Sequence, residues 1–408
     1  MPNVSFVNLL AVMAIAVAAP LCIGFFPRLR IPAVVLEIIG GVILGPSVLK
    51  WVHADVPVQI LALFGLAFLL FLAGLEIDLH RLRGQVLKFA LLGYLVTLVV
   101  GYGAGTFFSA SGWVAQPLLL AIALSSTSLG LVVPVLKDSG QVQGQIGQSA
   151  LAAASIADFG AIVLLSLFFS SSAGGIGSKV VLLGAFAALV GVTGVAVSGA
   201  GRSMRLGHVL VNLQDTTAEI RVRVAVLLLV AFTALAEKFG LESILGAFLA
   251  GAIVGLVDRD SSSHPRFRIK LEAIGYGFLV PVFFVTSGLR LDLTGLLHSP
   301  FALVRVPVFL VALLVVRGVP ALLGLRANGK RKTLALALLQ ATSLPFLVTA
   351  ASIGITLGKI TPVTGAALVC AGLLSVLIFP LVALGLLRRE APESAAEGAQ
   401  SAPETHRV

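Results

Sequence analysis

Charge is the scarcest ingredient of this 408-residue chain: Asp, Glu, Lys and Arg together make up 11%. A soluble domain carries roughly 25%, so a water-facing exterior over most of the chain is excluded. Cysteine is nearly missing. Cys22 and Cys370 lie far apart, each inside an apolar run, which leaves neither a disulfide framework nor a thiolate metal knuckle. CxxC, HExxH and P-loop patterns do not occur, and each is needed for the chemistry it serves. No resident cofactor is therefore expected. His53, His80, His208 and His264 fall in loops, which leaves the apolar runs without a Ser–His pair or zinc ligands, so an enzyme is not expected either. Lys and Arg are missing ahead of Arg28. A cleaved signal peptide begins with positive charge, so the first apolar run is expected to remain as a helix.

Acidic residues are also short: 18 against 28 basic ones, for a net charge of +10. In a soluble domain that excess would point to nucleic acid. Here the basic residues cluster in short loops between apolar runs, where they set membrane topology, and no nucleic-acid partner is expected.

What the chain has in abundance is apolar residues, 58% of the total, with a mean hydropathy of +1.07. They fall in runs of roughly 18 or more, long enough to cross a bilayer as helices. Membrane barrels alternate apolar and polar residues instead. The expected fold is an all-α polytopic membrane protein of thirteen spans, near 6–26, 32–49, 57–77, 85–108, 115–136, 145–171, 178–199, 219–237, 241–257, 270–288, 300–325, 331–354 and 361–387. Alternate loops hold the cations, among them Arg28 and Arg30, Arg81 and Arg83, Arg266 and Arg268, and Lys330 to Lys332. That set is cytoplasmic by the positive-inside rule. The N-terminus is then outside and the C-terminus inside, as an odd span count requires. The Ala-, Glu- and Ser-rich stretch 389–408 reads as a disordered cytoplasmic tail.

Three short words recur in the same order. Gly74-Leu75-x-x-Asp78-Leu79 returns as Gly288-Leu289-x-x-Asp292-Leu293, about 214 residues on. Glu37 followed by Gly40 and Gly45 returns as Glu242 followed by Gly246 and Gly251, and Thr127-Ser128-Leu129 returns as Thr342-Ser343-Leu344. The matched spans differ by seven, an odd number, so the copies enter the membrane from opposite sides. Inverted repeats of this kind mark secondary transporters, whose sites lie where discontinuous helices meet.

Asp158 is the acid placed deepest in a span. A carboxylate at that depth costs about 3 kcal/mol on insertion scales, which is retained either for an ion or proton site or for a helix-packing pair with a buried base. Burial disfavours a charged carboxylate and a nearby cation favours it. One carboxylate can thus hold a proton or a metal cation, but not both, and that competition is the minimum apparatus for exchange. Arg317 lies mid-span and needs a partner. Asp158 is the expected one, and snorkelling to the surface is the bland alternative. Ser125-Ser126-Thr127-Ser128 and Thr342-Ser343-Leu344-Pro345 read as helix interruptions, where carbonyls and amide ends turn inward. The candidate cation- and proton-binding set is Asp158 with Ser126, Thr127 and Ser155, and the crossing is formed by Ser128, Thr342 and Ser343. Glu37 fits either an ion access route or a structural acid at a subunit interface.

These residues together resemble the monovalent cation:proton antiporter-2 family of the sodium/hydrogen exchanger superfamily. The words that carry the resemblance are Pro32 to Ser47, Leu66 to Asp78, the Ser-Thr-Ser break with Val135-Leu136-Lys137, and Phe278 to Phe284. It implies a scaffold bundle that forms a homodimer (1–84 and 218–298), a core ion-transport bundle (85–172 and 299–388) and a linker helix (173–217). It also implies elevator-type exchange of Na⁺ or K⁺ for protons in a bacterial plasma membrane. Where the family often has two adjacent acids or Asn-Asp, this chain has Ala157-Asp158, and Arg317 replaces a frequent Lys. Arg does not release its proton at accessible pH. Asp158 is then the one titratable carrier, and electroneutral one-for-one exchange is expected. A cation-coupled organic-anion symporter is the alternative within transport. It needs a wider polar pocket than broken spans flanked by Leu, Val and Pro provide.

Overall fold

The computed structural model describes residues 6–25, 31–76, 84–128, 144–169, 176–201, 219–257, 265–298 and 300–388, with Val132 and Leu136 between. Asp78, Arg81, Arg83, Lys137, His80, His208, His264 and the tail from 389 lie outside the described residues. Helices carry the fold, and no strand occurs among the described residues. They are α1 (Val7–Phe25), α2 (Ala33–Leu44), α3 (Val56–Leu75), α4 (Gly84–Ala110), α5 (Pro117–Ser125), α6 (Gln145–Phe169), α7 (Ile176–Gly201) and α8 (Ile220–Lys238). After them come α9 (Ser243–Val257), α10 (Pro265–Ile274), α11 (Val280–Leu289), α12 (Leu293–Leu297), α13 (Pro300–Gly318), α14 (Leu325–Ala341), α15 (Pro345–Thr356) and α16 (Pro362–Arg388). A π turn over Gly275–Leu279 joins α10 to α11, and a 3₁₀ turn over Val319–Gly324 follows α13.

Among the described residues, eight helices are long and apolar enough to cross a membrane, and the bent pair Asn328–Ala341 and Pro345–Thr356 makes a ninth. The remaining expected spans are helical with a local reason for falling short. Helices α2 and α9 have 12 and 15 residues. Helix α8 carries Arg221 and Arg223 at one end and Glu237 and Lys238 at the other. Helix α5 stops at Ser125.

The chain divides into two compact units. The first comprises Met1–His80, Phe159–Leu303 and Ser352–Ala366. Glycines let its helices meet backbone to backbone. A Cβ at Gly41 of α2 would collide with the Val285 carbonyl of α11, and one at Gly288 with the Ile38 carbonyl. The same contact recurs between α3 and α9: Gly74 meets the Phe248 carbonyl, and Gly251 meets the Phe71 carbonyl. The second expected span thus packs on the tenth, and the third on the ninth. Asp55 caps α3 by accepting from the Val58 amide at 3.2 Å, and accepts from the Asn8 amide of α1 at 2.9 Å. Capping of this kind satisfies an end amide that has no partner within its helix.

The second unit comprises Arg81–Asp158, Val304–Ala351 and Ala367–Val408. Its core is rich in alanine, with Ala150, Ala154, Ala335, Ala341 and Ala383 packed with Leu136, Leu339 and Phe379. Small side chains let helices approach closely where lipid supplies no hydrophobic drive. Phe108, Trp113 and Phe309 form a ring cluster at one end, with Arg305 over the Trp113 ring at 5.2 Å.

Candidate functional site

Two helices of the second unit stop at nearly the same kind of word. Helix α5 ends where Ser126 turns extended (φ −80°, ψ 159°), and α14 ends where Thr342 does the same (φ −75°, ψ 106°). Helix α15 restarts at Pro345, bent by 42° from Asn328–Ala341. Hydroxyl residues suit these ends because they bond back to their own helix. Ser125 donates to the Ile122 carbonyl at 2.8 Å, and Thr342 to the Leu338 carbonyl at 3.0 Å. The two breaks are joined. The Ser128 amide donates to the Thr342 carbonyl at 2.8 Å, and the Ser126 and Ser343 hydroxyls lie 2.7 Å apart. Ser375 of α16 closes the second break: its oxygen accepts from the Ser343 amide at 3.3 Å, and its one hydrogen is shared between the Gly372 carbonyl at 2.7 Å and the Ser343 carbonyl at 3.1 Å.

The charged residues meet at this crossing. Asp158 of α6 accepts from the Thr127 amide at 3.3 Å. Ser155, 8% exposed, stands one turn earlier on the same helix. Arg317 of α13 is 2% exposed. Its Nε donates to the Thr127 hydroxyl at 2.9 Å, and its Nη2 donates to the same oxygen. Nε also reaches the Gln340 carbonyl at 3.3 Å, and Nη1 reaches the Thr97 hydroxyl of α4 at 3.3 Å. A buried guanidinium is tolerable only when its donors find oxygens, and these neutral oxygens serve. Thr127 in turn donates to the Gln340 carbonyl at 2.7 Å. The sequence led to the expectation of a direct Arg317–Asp158 partnership; Thr127 is the residue on which the two converge.

Of the expected site residues, Asp158, Ser155, Ser126, Thr127, Ser128, Arg317, Thr342 and Ser343 all belong to this second unit, whereas Glu37 is buried on α2 in the first. Among the described residues no three His, Cys, Asp or Glu side chains cluster. Sequence reasoning missed Thr97, Tyr94, Gln340 and Ser375. Tyr94 meets the Ser125 hydroxyl at 3.4 Å. Thr97 is a lone hydroxyl in an apolar helix, a weak signal, and Gln340 acts through a main-chain carbonyl that every residue possesses.

The family described as "Sodium/hydrogen exchanger, transmembrane" matches residues 13–388. This chain belongs to the sodium/hydrogen exchanger family. Its similarity to the Bacillus subtilis protein YjbQ is 32% identity over 409 residues, 96% of this chain and 64% of that protein's length. The chain thus spans just under two thirds of that relative. The Bacillus cereus Na(+)/H(+)-K(+) antiporter GerN is 28% identical over 273 residues, 66% of this chain and 68% of its own. The fold matches the structure of the sodium proton antiporter MjNhaP1 of Methanocaldococcus jannaschii with a TM-score of 0.62, covering 93% of this chain and 98% of that one at 19% identity. The fold is therefore that of MjNhaP1, and the chain is a multi-pass membrane protein.

Proposed function

We propose that this protein is a secondary active transporter that exchanges a monovalent cation, Na⁺ or K⁺, for protons, with Asp158 as the shared carrier. The observation that carries the reading is the convergence of Asp158 and Arg317 on Thr127 at the joined helix breaks. The named activity of GerN, which includes both sodium and potassium, supports the same substrate class. In this reading Asp158 binds the dehydrated cation together with Ser155, Ser126 and Thr127, or else holds a proton. Arg317 stays charged and supplies a fixed positive field. Each turnover then replaces one positive charge by another on one carboxylate, so exchange is electroneutral and one for one.

The bundle of 1–84 and 218–298 serves as the scaffold and dimer interface, and the bundle of 85–172 and 299–388 moves as an elevator that carries the crossing from one side of the bilayer to the other. Glu37, buried on the scaffold side, borders the access route. The N-terminus is outside and the C-terminus cytoplasmic in a bacterial plasma membrane. The deciding experiment uses everted vesicles or proteoliposomes with an imposed pH gradient, titrated with NaCl, KCl and LiCl. Dissipation by one salt that is lost in Asp158→Asn supports the reading and names the cation. Gradient dissipation by Asp158→Asn at the wild-type rate would refute it.

A further inference from the structure

The two threonines that hold Arg317 share a feature that distance alone does not convey. A hydroxyl has one hydrogen and two lone pairs. Thr127 gives its hydrogen to the Gln340 carbonyl at 2.7 Å, and Thr97 gives its own to the Gly93 carbonyl at 2.9 Å. Both oxygens are thereby fixed as acceptors, and both turn their lone pairs to the guanidinium: Thr127 to Nε and Nη2, Thr97 to Nη1. The threonines lie on opposite ends of the group and come from different helices. Thr97 is fully buried, at 0% exposure. A threonine bonded only to its own helix would be a common packing device. This one also receives a charged donor from a residue 220 positions away.

We propose that Thr97 is a positioning residue that sets cation affinity by holding Arg317 at a fixed place beside Asp158. The inference rests on the proposed role of Asp158 as carrier. Asp158 on α6 is the charged group that acts on Arg317, and Tyr94, one turn before Thr97 on α4, is the other titratable group that faces it, a neutral phenol at accessible pH. With Nη1 anchored on Thr97, the guanidinium cannot swing toward the carboxylate. Released from that anchor, it moves toward Asp158 and competes there with the transported cation. Thr97 thus acts on binding through Arg317 and does not itself touch the ion.

The test is a kinetic comparison in proteoliposomes, with the cation that the wild-type protein exchanges among Na⁺, K⁺ and Li⁺. Thr97→Val keeps the shape and removes the acceptor. The expected result is an apparent KM for the cation raised about fivefold or more, the effect of losing a hydrogen bond to a charged group, with kcat held within about twofold. Thr97→Ser restores the oxygen and returns KM to the wild-type value. In an Arg317→Lys background the anchor is already lost, because one ammonium cannot span both hydroxyls, so Thr97→Val adds little there. An unchanged KM in Thr97→Val, an equal rise in Thr97→Ser, or a full additional rise in the Lys background each overturns the proposal. Thr97→Ala carries the same expectation should the valine variant not reach the membrane. Inactive Asp158→Asn beside a wild-type KM in Thr97→Val sinks this inference alone. Active Asp158→Asn, or a wild-type protein that exchanges none of the three ions, sinks the carrier reading and this inference with it.

Discussion

Thr127 bonds to both charged residues beside it. Its amide serves Asp158, its hydroxyl accepts from Arg317, and the same hydroxyl donates to the Gln340 carbonyl. Removing that hydroxyl takes an acceptor from two donors of Arg317 at once and leaves Nε only the Gln340 carbonyl. Thr127→Val is expected to cost about 2 kcal/mol or more, since bonds to charged groups contribute roughly 1.5–3 kcal/mol each. A thermal-shift measurement in detergent reads this as a lowered midpoint relative to Thr127→Ser, and equal midpoints would contradict the hub role. Arg317→Ala leaves a cavity and a carboxylate without its nearby cation. Loss of exchange is expected there, with Arg317→Lys retaining part of it because the positive charge remains. Equal activity in Arg317→Ala and wild type would show that the field of Arg317 has no part in transport.

At the scale of elements, the breaks after α5 and before α15 are stabilised by the polar groups that they expose. A broken helix in a membrane must satisfy its freed amides and carbonyls within the protein. Ser375 does so for the Ser343 amide, and for the Ser343 carbonyl with a hydrogen that it shares with the Gly372 carbonyl. Ser375→Ala leaves those buried groups without that partner, a cost of about 1–3 kcal/mol. Hydrogen exchange at the Ser343 amide is expected to accelerate while the amides of α4 stay protected; uniform protection in both would show that the break holds without Ser375. The glycine contacts have the opposite character, since there nothing fits. At Gly251 even an alanine would place its Cβ against the Phe71 carbonyl. Overpacking typically costs about 1–3 kcal/mol, so Gly251→Val is expected to lower thermal stability more than Gly177→Val. Gly177 has nothing within 4 Å of a Cβ. Equal destabilisation by both would contradict the close approach of α9 to α3.

For the whole molecule, the net charge carried per cycle is the quantity to measure. If one carboxylate holds either one cation or one proton while Arg317 stays charged, the exchange rate is independent of membrane potential. Proteoliposomes clamped at opposite potentials with valinomycin and K⁺ gradients should exchange Na⁺ at equal rates. A voltage-dependent rate or a measurable current would require a second titrating carrier. The cytoplasmic side of the topology is also testable. A cysteine placed at Lys330, just past the left-handed Gly329 (φ 72°) that kinks α14, should react with an impermeant thiol reagent from the cytoplasmic side only, and labelling from outside would invert the orientation.

Composition and patterning determined a great deal by themselves. The membrane class, most of the helical segments and the two Ser/Thr interruptions follow from runs of apolar residues and the few polar ones that disturb them, while the family was legible as a resemblance in a few longer words such as Leu66 to Asp78. Such features are local, and a bilayer penalises each polar residue enough to make it conspicuous. Asp158 and Arg317 stood out for that reason. The tertiary structure decided how they meet. Thr97 comes from a helix 220 residues before Arg317, and a single hydroxyl in an apolar helix differs little from a packing residue until its neighbour is known. Gln340 contributes a carbonyl that any residue would have supplied. Main-chain atoms leave no mark on residue identity, and contacts between distant segments leave none on spacing, so the part of the site built from them became visible only once the chain was folded.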